Sequence, residues 1–405
     1  MATKKKKSPL SFLFNKGAMD VPFFIILMTI VTIGLIMLFS ASYTYSYYFR
    51  TSSTELFTKQ LIYAGIGVLG MLLVSRVRYE YFKAFAFVIA GISVLLLIVV
   101  RLLPDSVQPG FYRWIDLGFI TFQPSEIAKL GLILFLAFCL EQHHKGVVGK
   151  VPSDLGICRF VEDTTNGKYV IYKSFTSTIA YGIFILIFAV LVLIENHVSG
   201  AVLMLAIGVV MLFLGEVKNK WFIIAGVVGV FAVVLFVMNP DLLKEYAGER
   251  IVAWLDKDYE PLGARWQTNN SLYAIGSGGF LGTGLGQSKQ KHLYVSEPQN
   301  DFIFAIIGEE LGLVGCAVVI MLFVILVYRC VKIALNCTDI FTCMVVIGIG
   351  AQIGIQAALN IAVATSSMPV TGVALPFISY GGTSLIIFMS AVGIVLNISK
   401  HVKMN

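Results

Sequence analysis

Long apolar runs dominate the chain, and short polar stretches separate them. Each run contains about 20 residues, the length that an α-helix needs to cross a bilayer. A transmembrane β-barrel would show weak alternation of apolar and polar positions instead. The pattern predicts an all-α polytopic membrane protein that forms a single domain, 1–405, with ten transmembrane helices. These spans are residues 21–42, 58–75, 84–103, 121–140, 177–195, 199–216, 221–239, 302–328, 339–365 and 378–398.

The composition agrees with this class of protein. Hydrophobic residues make up 58% of the 405 positions and charged residues only 13%, whereas a soluble domain contains about 25% charged residues. Such a chain cannot cover a water-facing surface, which argues against a disordered protein, a disulfide scaffold or a free nucleic-acid-binding domain. The six cysteines show no C-x-x-C spacing, so we expect them to be small buried hydrophobic residues.

The basic residues predict the orientation. Lys4 to Lys7 precede the first span, and no small-residue cleavage site follows, which predicts an uncleaved signal anchor after a cytoplasmic N-terminus, 1–20. This orientation places 19 of the 30 Lys and Arg residues inside, as the positive-inside rule requires. The prediction is N-in and C-in, with a cytoplasmic loop at 141–176. A long extracytoplasmic loop, 240–301, joins helices 7 and 8, and we expect it to pack over the outer mouth of the bundle.

The first candidate site lies at the start of the fourth span. Glu126 and Lys129 are three residues apart and therefore share a helix face. An ionisable residue inside a span is a functional hypothesis by default, because a lone Lys there costs about 2.5–3.5 kcal/mol. The structural alternative is a self-neutralising pair that locks the helix to its neighbours. Arg113, just outside the span, would join Lys129 in a cationic site suited to phosphate.

The second candidate is Asp301, which precedes the eighth span. Asp is a preferred helix N-cap, so a purely structural role is a strong alternative. The same position also places a carboxylate at the membrane boundary, on the side of Arg113. Glu309 and Glu310 follow within the span, and we expect them to approach the inner half of the bilayer and to make structural polar contacts.

Two further features are polar. Gln352, Gln356 and Asn360 form a stripe on the ninth span, which predicts interhelical hydrogen bonds or, alternatively, the lining of a hydrophilic groove. The Pro- and Gly-containing loop 368–384 precedes the last span, and its hydroxyls and backbone amides could bind an anionic head group. A cationic patch and a carboxylate at the outer face favour chemistry or transport on an anionic lipid.

Several stretches resemble the SEDS family of bacterial cell-wall proteins, which contains FtsW, RodA and SpoVE. The resemblance covers nearly the whole chain. Its most specific segments are 113–114, 123–129, 267–279, 284–291, 301–312 and 369–384.

The resemblance implies a multi-pass plasma-membrane peptidoglycan glycosyltransferase that polymerises lipid II, an undecaprenyl-pyrophosphate disaccharide-pentapeptide, with inversion of the anomeric centre. Its implied partner is a class B penicillin-binding protein, which supplies transpeptidation. No cofactor is required because the lipid diphosphate is itself the leaving group, although a divalent cation, Mg²⁺ or Mn²⁺, could assist. The stretch that ends in Gln290 and Lys291 resembles the FtsW/SpoVE branch more than RodA, which implies a role in cell division.

The resemblance also implies residue roles. Asp301 matches the catalytic Asp of the family and would act as general base. Arg113 and Lys129 would stabilise the departing diphosphate, with Glu126 orienting Lys129. Further substrate-binding residues are expected at Gln290, Lys291, Ser379, Tyr380, Gly381 and Thr383.

One segment departs from the family pattern. Members often carry Gln/Glu-Pro-Asp-Leu-Gly-Thr at the start of the sixth span, whereas this chain has Glu195-Asn196-His197-Val198-Ser199-Gly200. His197 therefore stands where the family pattern has an Asp, and this chain lacks that carboxylate.

Two other functions fit the same residues. A flippase for lipid-linked precursors would also need intramembrane charges and a polar stripe. A structural scaffold of the division machinery would tolerate replacement of the charged motif residues.

Overall fold

The computed structural model describes most of the chain. The predicted basic N-terminus, up to residue 18, and most of the predicted cytoplasmic loop 141–176 lie outside the described residues. These are 19–103, 113–116, 118, 121–148, 169–215, 219–238, 245–256, 258–260, 262–263 and 265–402.

Within these residues the chain forms thirteen helices and one small sheet. Strands β1 (Ile115–Asp116) and β2 (Thr121–Phe122) are antiparallel, with Ile115 opposite Phe122. The helices are α1 (Val21–Phe49), α2 (Glu55–Val74), α3 (Tyr79–Ala84), α4 (Ala86–Leu102), α5 (Pro124–Val148), α6 (Tyr169–Ile194), α7 (Val198–Leu214), α8 (Asn219–Met238), α9 (Glu245–Leu255), α10 (Trp266–Gly278), α11 (Ile303–Leu335), α12 (Ile340–Ala364) and α13 (Gly382–Ser399).

A helix overlaps each of the ten predicted spans. Five of them, α1, α2, α11, α12 and α13, are long and apolar enough to cross a membrane, and shorter apolar helices lie at Ala86–Leu102, Ile179–Ile194 and Val198–Leu214. The helical class is therefore confirmed, whereas the number of crossings and their orientation stay predictions. The five cysteines that the structure describes are all free thiols, and three of them are buried as expected, whereas Cys337 and Cys343 are only half-buried.

Small residues let the helices approach closely. An added Cβ on Gly393 of α13 would lie 2.6 Å from the carbonyl oxygen of Met71 on α2, and one on Gly67 would lie 2.6 Å from the sulfur of Met389. Between apolar helices such close contact replaces the hydrophobic driving force that water would supply. The α2–α13 pair forms one of the most extensive contacts of the bundle.

Buried ion pairs mark one end of the bundle. Asp20, just before α1, accepts two hydrogen bonds from Arg329 of α11, at 2.7 and 2.6 Å. Lys83 of α3 pairs with Glu141 of α5 at 2.6 Å. We call this the basal end, and the opposite end, where α12 finishes, the distal end.

The α11 helix is broken at Gly312, which has φ 66° and ψ −165°. Glu310, just before the break, accepts a hydrogen bond of 2.6 Å from Ser40 of α1, about 30 Å along that helix from Asp20. With the N-terminus inside, as predicted, Glu310 lies near the outer end of α1 and not in the inner half of the bilayer. The reason is the break, because only the part of α11 after Gly312 runs back to the basal end.

The two carboxylates organise the turn 286–291. Glu309 accepts hydrogen bonds from the Ser288 hydroxyl at 2.5 Å and from the Lys289 amide at 2.8 Å. Glu310 accepts from the Gly286 amide at 2.9 Å and pairs with the Lys291 ammonium at 2.9 Å. These contacts confirm the expected structural role of both glutamates.

Gly312→Ala is expected to lower stability. Its backbone conformation is nearly restricted to glycine and would cost alanine about 1–3 kcal/mol. The added Cβ would also lie 2.3 Å from the Gly282 nitrogen. The measurement is the thermal unfolding midpoint in detergent.

The matched control is Gly276→Ala inside α10. An added Cβ there meets no atom within 4 Å, and alanine favours a helix over glycine by about 1 kcal/mol. Equal midpoints for the two variants would contradict the requirement for glycine at 312.

Candidate functional site

The loop 370–374, which we call the cross-loop, passes over the distal end and contacts three helices. Polar side chains from α7, α9 and α12 donate hydrogen bonds to its carbonyl oxygens at 2.6–3.0 Å. The cross-loop therefore fixes the relative positions of these elements. The bonds are Arg250 to Val370, Ser199 to Thr371, Asn360 to Val373 and Gln356 to Ala374.

Lys129 is linked to the cross-loop through Gln356 and is only 3% exposed. Its ammonium donates to Glu126 at 2.8 Å and to Gln356 of α12 at 3.1 Å. The ammonium also lies 5.3 Å from the ring centre of Phe388. The predicted pairing of Glu126 with Lys129 is confirmed, and Gln356 extends it into an interhelical contact.

The polar stripe of α12 also makes interhelical contacts. Asn360 donates to the main-chain oxygen of Asp301 at 2.8 Å as well as to the cross-loop. Gln356 and Asn360 both form hydrogen bonds with other elements of the bundle. These bonds support the predicted hydrogen-bonding role of the stripe over the lining of a hydrophilic groove. A small cleft opens beside Gln356 and Phe388, between α12, α13 and the segment that follows the cross-loop.

Asp301 precedes α11 but does not cap it. The N-cap residue is Phe302, and no side chain caps this helix, so the structural alternative of a capping role is not supported. The Asp301 carboxylate makes no hydrogen bond within the described part of the chain. Its Oδ2 lies 3.3 Å from the position of an added Cβ on Gly372, a residue with φ 68°. Glycine at this point leaves room for the carboxylate against the cross-loop.

Charges around Asp301 adjust its basicity. Burial raises the pKa of its carboxyl to about 6, and the nearby Glu297 carboxylate adds to the rise. Arg250 and Arg113 oppose it by favouring the ionised form. Asp301 is thus a carboxylate at neutral pH and a stronger base than an ordinary Asp.

Arg113 and Lys129 flank His197, in the turn between α6 and α7. Arg113 donates to the main-chain oxygen of Asn196. Burial, and then the positive charges of Arg113 and Lys129, lower the pKa of His197 well below its usual value. The structure therefore brings the two predicted cations and His197 to one site, and Arg113 also acts on Asp301.

Lys291 and Gln290 lie elsewhere. The Lys291 ammonium donates to Glu310, to Ser40 at 3.0 Å and to the Gly286 carbonyl at 2.7 Å, and the residue is only 5% exposed. The Gln290 amide faces Glu309. A substrate-binding role for both residues stays a prediction, and their contacts favour a structural one.

The remaining predicted residues hold the segment after the cross-loop beside residues 299–301. Ser379 accepts from the Leu375 amide at 2.8 Å and donates to the Asn300 carbonyl at 2.7 Å. Substrate binding by this group stays a prediction. The other contacts are Tyr380 N to Gln299 O, Gly381 N to Gln60 Oε1 and Thr383 Oγ1 to Thr121 O.

Arg250 is a residue of the candidate site that the sequence did not indicate. It lies in α9, holds the cross-loop at Val370 and acts electrostatically on Asp301. No motif surrounds it, and only its position in the long segment 240–301 relates it to the site. Within the described residues no group of three or more His, Cys, Asp or Glu side chains could hold a metal ion.

Known proteins resemble the whole chain. A family model for FtsW, RodA and SpoVE, described as cell cycle protein, matches residues 20–404. Stage V sporulation protein E of Bacillus subtilis is 35% identical over 405 residues, covering 98% of this chain and 99% of that protein. A protein of Trichlorobacter lovleyi named "Probable peptidoglycan glycosyltransferase FtsW" is 32% identical over 397 residues, covering 96% of each.

Solved structures share the fold. A chain from a structure described as "Structural coordination of polymerization and crosslinking by a peptidoglycan synthase complex" is 24% identical, with a TM-score of 0.73 over 95% of this chain and 98% of that one. RodA of Thermus thermophilus is 25% identical, with a TM-score of 0.66 over 96% and 99%. The chain is therefore a multi-pass plasma-membrane protein that belongs to the FtsW/RodA/SpoVE family, also called the SEDS family.

Proposed function

We propose that the chain is a peptidoglycan glycosyltransferase that polymerises lipid II into β-1,4 glycan strands at the outer face of the plasma membrane. Relatives named as peptidoglycan glycosyltransferases support this activity. The observation that carries the proposal is the state of the Asp301 carboxylate. Within the described residues no side chain forms a hydrogen bond with it, and the charges of Arg113 and Arg250 act on it.

Asp301 is the general base in this mechanism. Its carboxylate takes the proton of the attacking sugar hydroxyl while the new glycosidic bond forms and the bond to the lipid diphosphate breaks, with inversion at the anomeric carbon. A base positioned in this way typically contributes a factor of about 10²–10⁴ in rate. A pKa of about 6 keeps the group ionised at pH 7 and leaves it more basic than an exposed Asp.

The cations act on the leaving group. Negative charge grows on the diphosphate as it departs, and preorganised positive groups stabilise that charge without reorganisation. Arg113 at the turn before α7 and Lys129 beside the cleft supply the positive charge, and Glu126 orients Lys129. The donor is already activated, so we propose that the reaction needs no cofactor.

We also propose the remaining topology and partner. The chain crosses the membrane ten times with both termini in the cytoplasm, and 240–301 is extracytoplasmic. A class B penicillin-binding protein crosslinks the product, and the pair acts in cell division. The likeness to a chain of a peptidoglycan synthase complex supports a partner of this kind.

The experiment is polymerisation of labelled lipid II by the purified chain with its partner in detergent micelles. A micelle has no two sides, so a flippase would make no product there. Glycan polymer formed by the wild type is the expected result. Its absence from a folded, partner-bound preparation would contradict the proposal.

Asp301→Asn is expected to lower polymerisation at least about 10²-fold, because the amide cannot accept the proton. Folding and partner binding should persist, since only the Asp301 main-chain oxygen is hydrogen bonded. The matched control is Asp258→Asn, an exposed Asp of the same long segment. Normal glycan chains from Asp301→Asn would overturn the base assignment.

The pH profile gives a second prediction. The active form is the carboxylate, so activity should fall about tenfold per pH unit as the pH drops below about 6. Arg250→Gln removes a charge that lowers the Asp301 pKa and should shift this acid limb upward by about half a unit. Arg76→Gln, at an exposed arginine of the basal end, is the control. An acid limb unmoved by Arg250→Gln would argue against the coupling.

Lys129 can be tested for stability and activity separately. Lys129→Met leaves Glu126 as an unpaired buried charge and should destabilise the fold by about 3–5 kcal/mol. The double variant Lys129→Met/Glu126→Gln removes both charges and should recover most of the thermal midpoint without recovering activity. Wild-type activity in the double variant would show that the pair has only a structural role.

A further inference from the structure

The turn between α6 and α7 is tightly defined. The His197 amide bonds to the Val192 carbonyl at 3.2 Å and the Asn196 amide to the Leu193 carbonyl at 3.0 Å, while Asn196 has φ 61°. This pair of bonds is a Schellman motif with Asn196 in the left-handed position. Because Arg113 donates to the Asn196 carbonyl, the turn is anchored beside the guanidinium.

Two side chains of this turn are buried without partners. Glu195 is fully buried and His197 is 8% exposed. Both Glu195 oxygens and the His197 Nδ1 lack hydrogen-bond partners among the described residues. A buried polar group without a hydrogen-bond partner is destabilising, so three such atoms beside one arginine indicate a ligand that would satisfy them.

The charges around this turn favour an anion. Burial raises the pKa of Glu195 to about 9 in spite of Arg113, so the acid is neutral and can donate a hydrogen bond at pH 7. His197 is neutral as well. Lys129 already pairs with Glu126. Arg113 therefore lies beside two neutral side chains, and its positive charge also acts on the nearby Asp301 carboxylate.

The start of α7 adds to the positive potential. The first amides of a helix have no intrahelical acceptor, and the helix dipole favours an anion there. Gly200, in this first turn, makes room for the histidine, since an added Cβ would lie 2.6 Å from the His197 Nδ1. The imidazole consequently folds over the helix terminus.

We propose that Arg113, Glu195 and His197 form a phosphate subsite that binds its anion together with one proton, which His197 takes up. Glu195 acts as a neutral hydrogen-bond donor to the anion. The identification of that anion as the diphosphate of the lipid substrate rests on the proposed function.

Proton uptake by His197 makes the affinity for the anion depend on pH in a definite direction. A bound dianion offsets the charges of Arg113 and Lys129 and so raises the pKa of His197. Between the low pKa of the free site and the higher pKa of the bound site, affinity should fall up to about tenfold for each unit of rising pH.

The test is titration of the full-length protein in detergent with inorganic pyrophosphate, without divalent cations, from pH 6 to pH 8. Calorimetry in buffers of different ionisation enthalpy should report close to one proton taken up by the wild type beyond the probe's own protonation. That baseline comes from His197→Gln, which should lose the extra pH dependence. His292→Gln, an exposed histidine near Thr44, should keep it.

Glu195 is tested by two variants. Glu195→Ala should weaken pyrophosphate binding about tenfold, and Glu195→Gln, which keeps a neutral donor, should recover most of the affinity. Tighter binding by Glu195→Ala would mean that the group is an ionised carboxylate and would overturn the proposal.

Three other outcomes decide the matter. Equal pH dependence in wild type and folded His197→Gln would overturn the proposal, as would no proton uptake by the wild type or no pyrophosphate binding. The lipid II assay tests the proposed function separately. Proton-linked binding without polymerisation would leave the subsite standing and remove the enzyme assignment.

Discussion

The apolar bundle can hold the Lys129 ammonium only because two acceptors reach it. Glu126 comes from its own helix and Gln356 from α12, and Gln356 also donates to Ala374 of the cross-loop. A lone cation in this position would cost several kcal/mol. Because Gln356 must stay at the ammonium to avoid this cost, its second hydrogen bond holds the cross-loop in place. The cross-loop in turn places Gly372 against the Asp301 carboxylate. One buried charge thus organises the surroundings of the proposed base.

Burial then sets the charge of the neighbouring groups in a consistent way. It raises the pKa of Asp301 and Glu195 and lowers that of His197, because a low dielectric favours the neutral form of acids and bases alike. Glu195 and His197 are neutral near pH 7, whereas Arg113 keeps its charge. The site therefore places the positive charge of Arg113 beside neutral groups, an arrangement that suits an anionic substrate.

The sequence predicts those parts of the site that depend on local spacing. Three-residue spacing places Glu126 beside Lys129, and the apolar runs predict the helices. The break at Gly312 could not be predicted, because one glycine in an apolar run does not indicate that a helix is interrupted there. The partners of Glu309 and Glu310 lie in the turn 286–291, and only tertiary contacts bring them together. Arg250 carries no motif, and its relation to Asp301 exists only in three dimensions. The Lys291 ammonium likewise has partners set by tertiary contacts.

The basal ion pairs bear on the distal site through the rigidity of helices. Buried pairs add little net stability, but breaking one is costly, so they oppose alternative helix registers. Lys83 lies 2.6 Å from Glu141 of α5 and 3.9 Å from Asp339 at the start of α12. A slip of one residue would move α12 by about 1.5 Å and turn it by about 100°. Either change would carry Gln356 away from Lys129. Lys129 itself lies about 18 Å along α5 from the basal residue Glu141. The ion pairs at the basal end therefore help to fix the positions of the residues around Asp301, although they lie far from it.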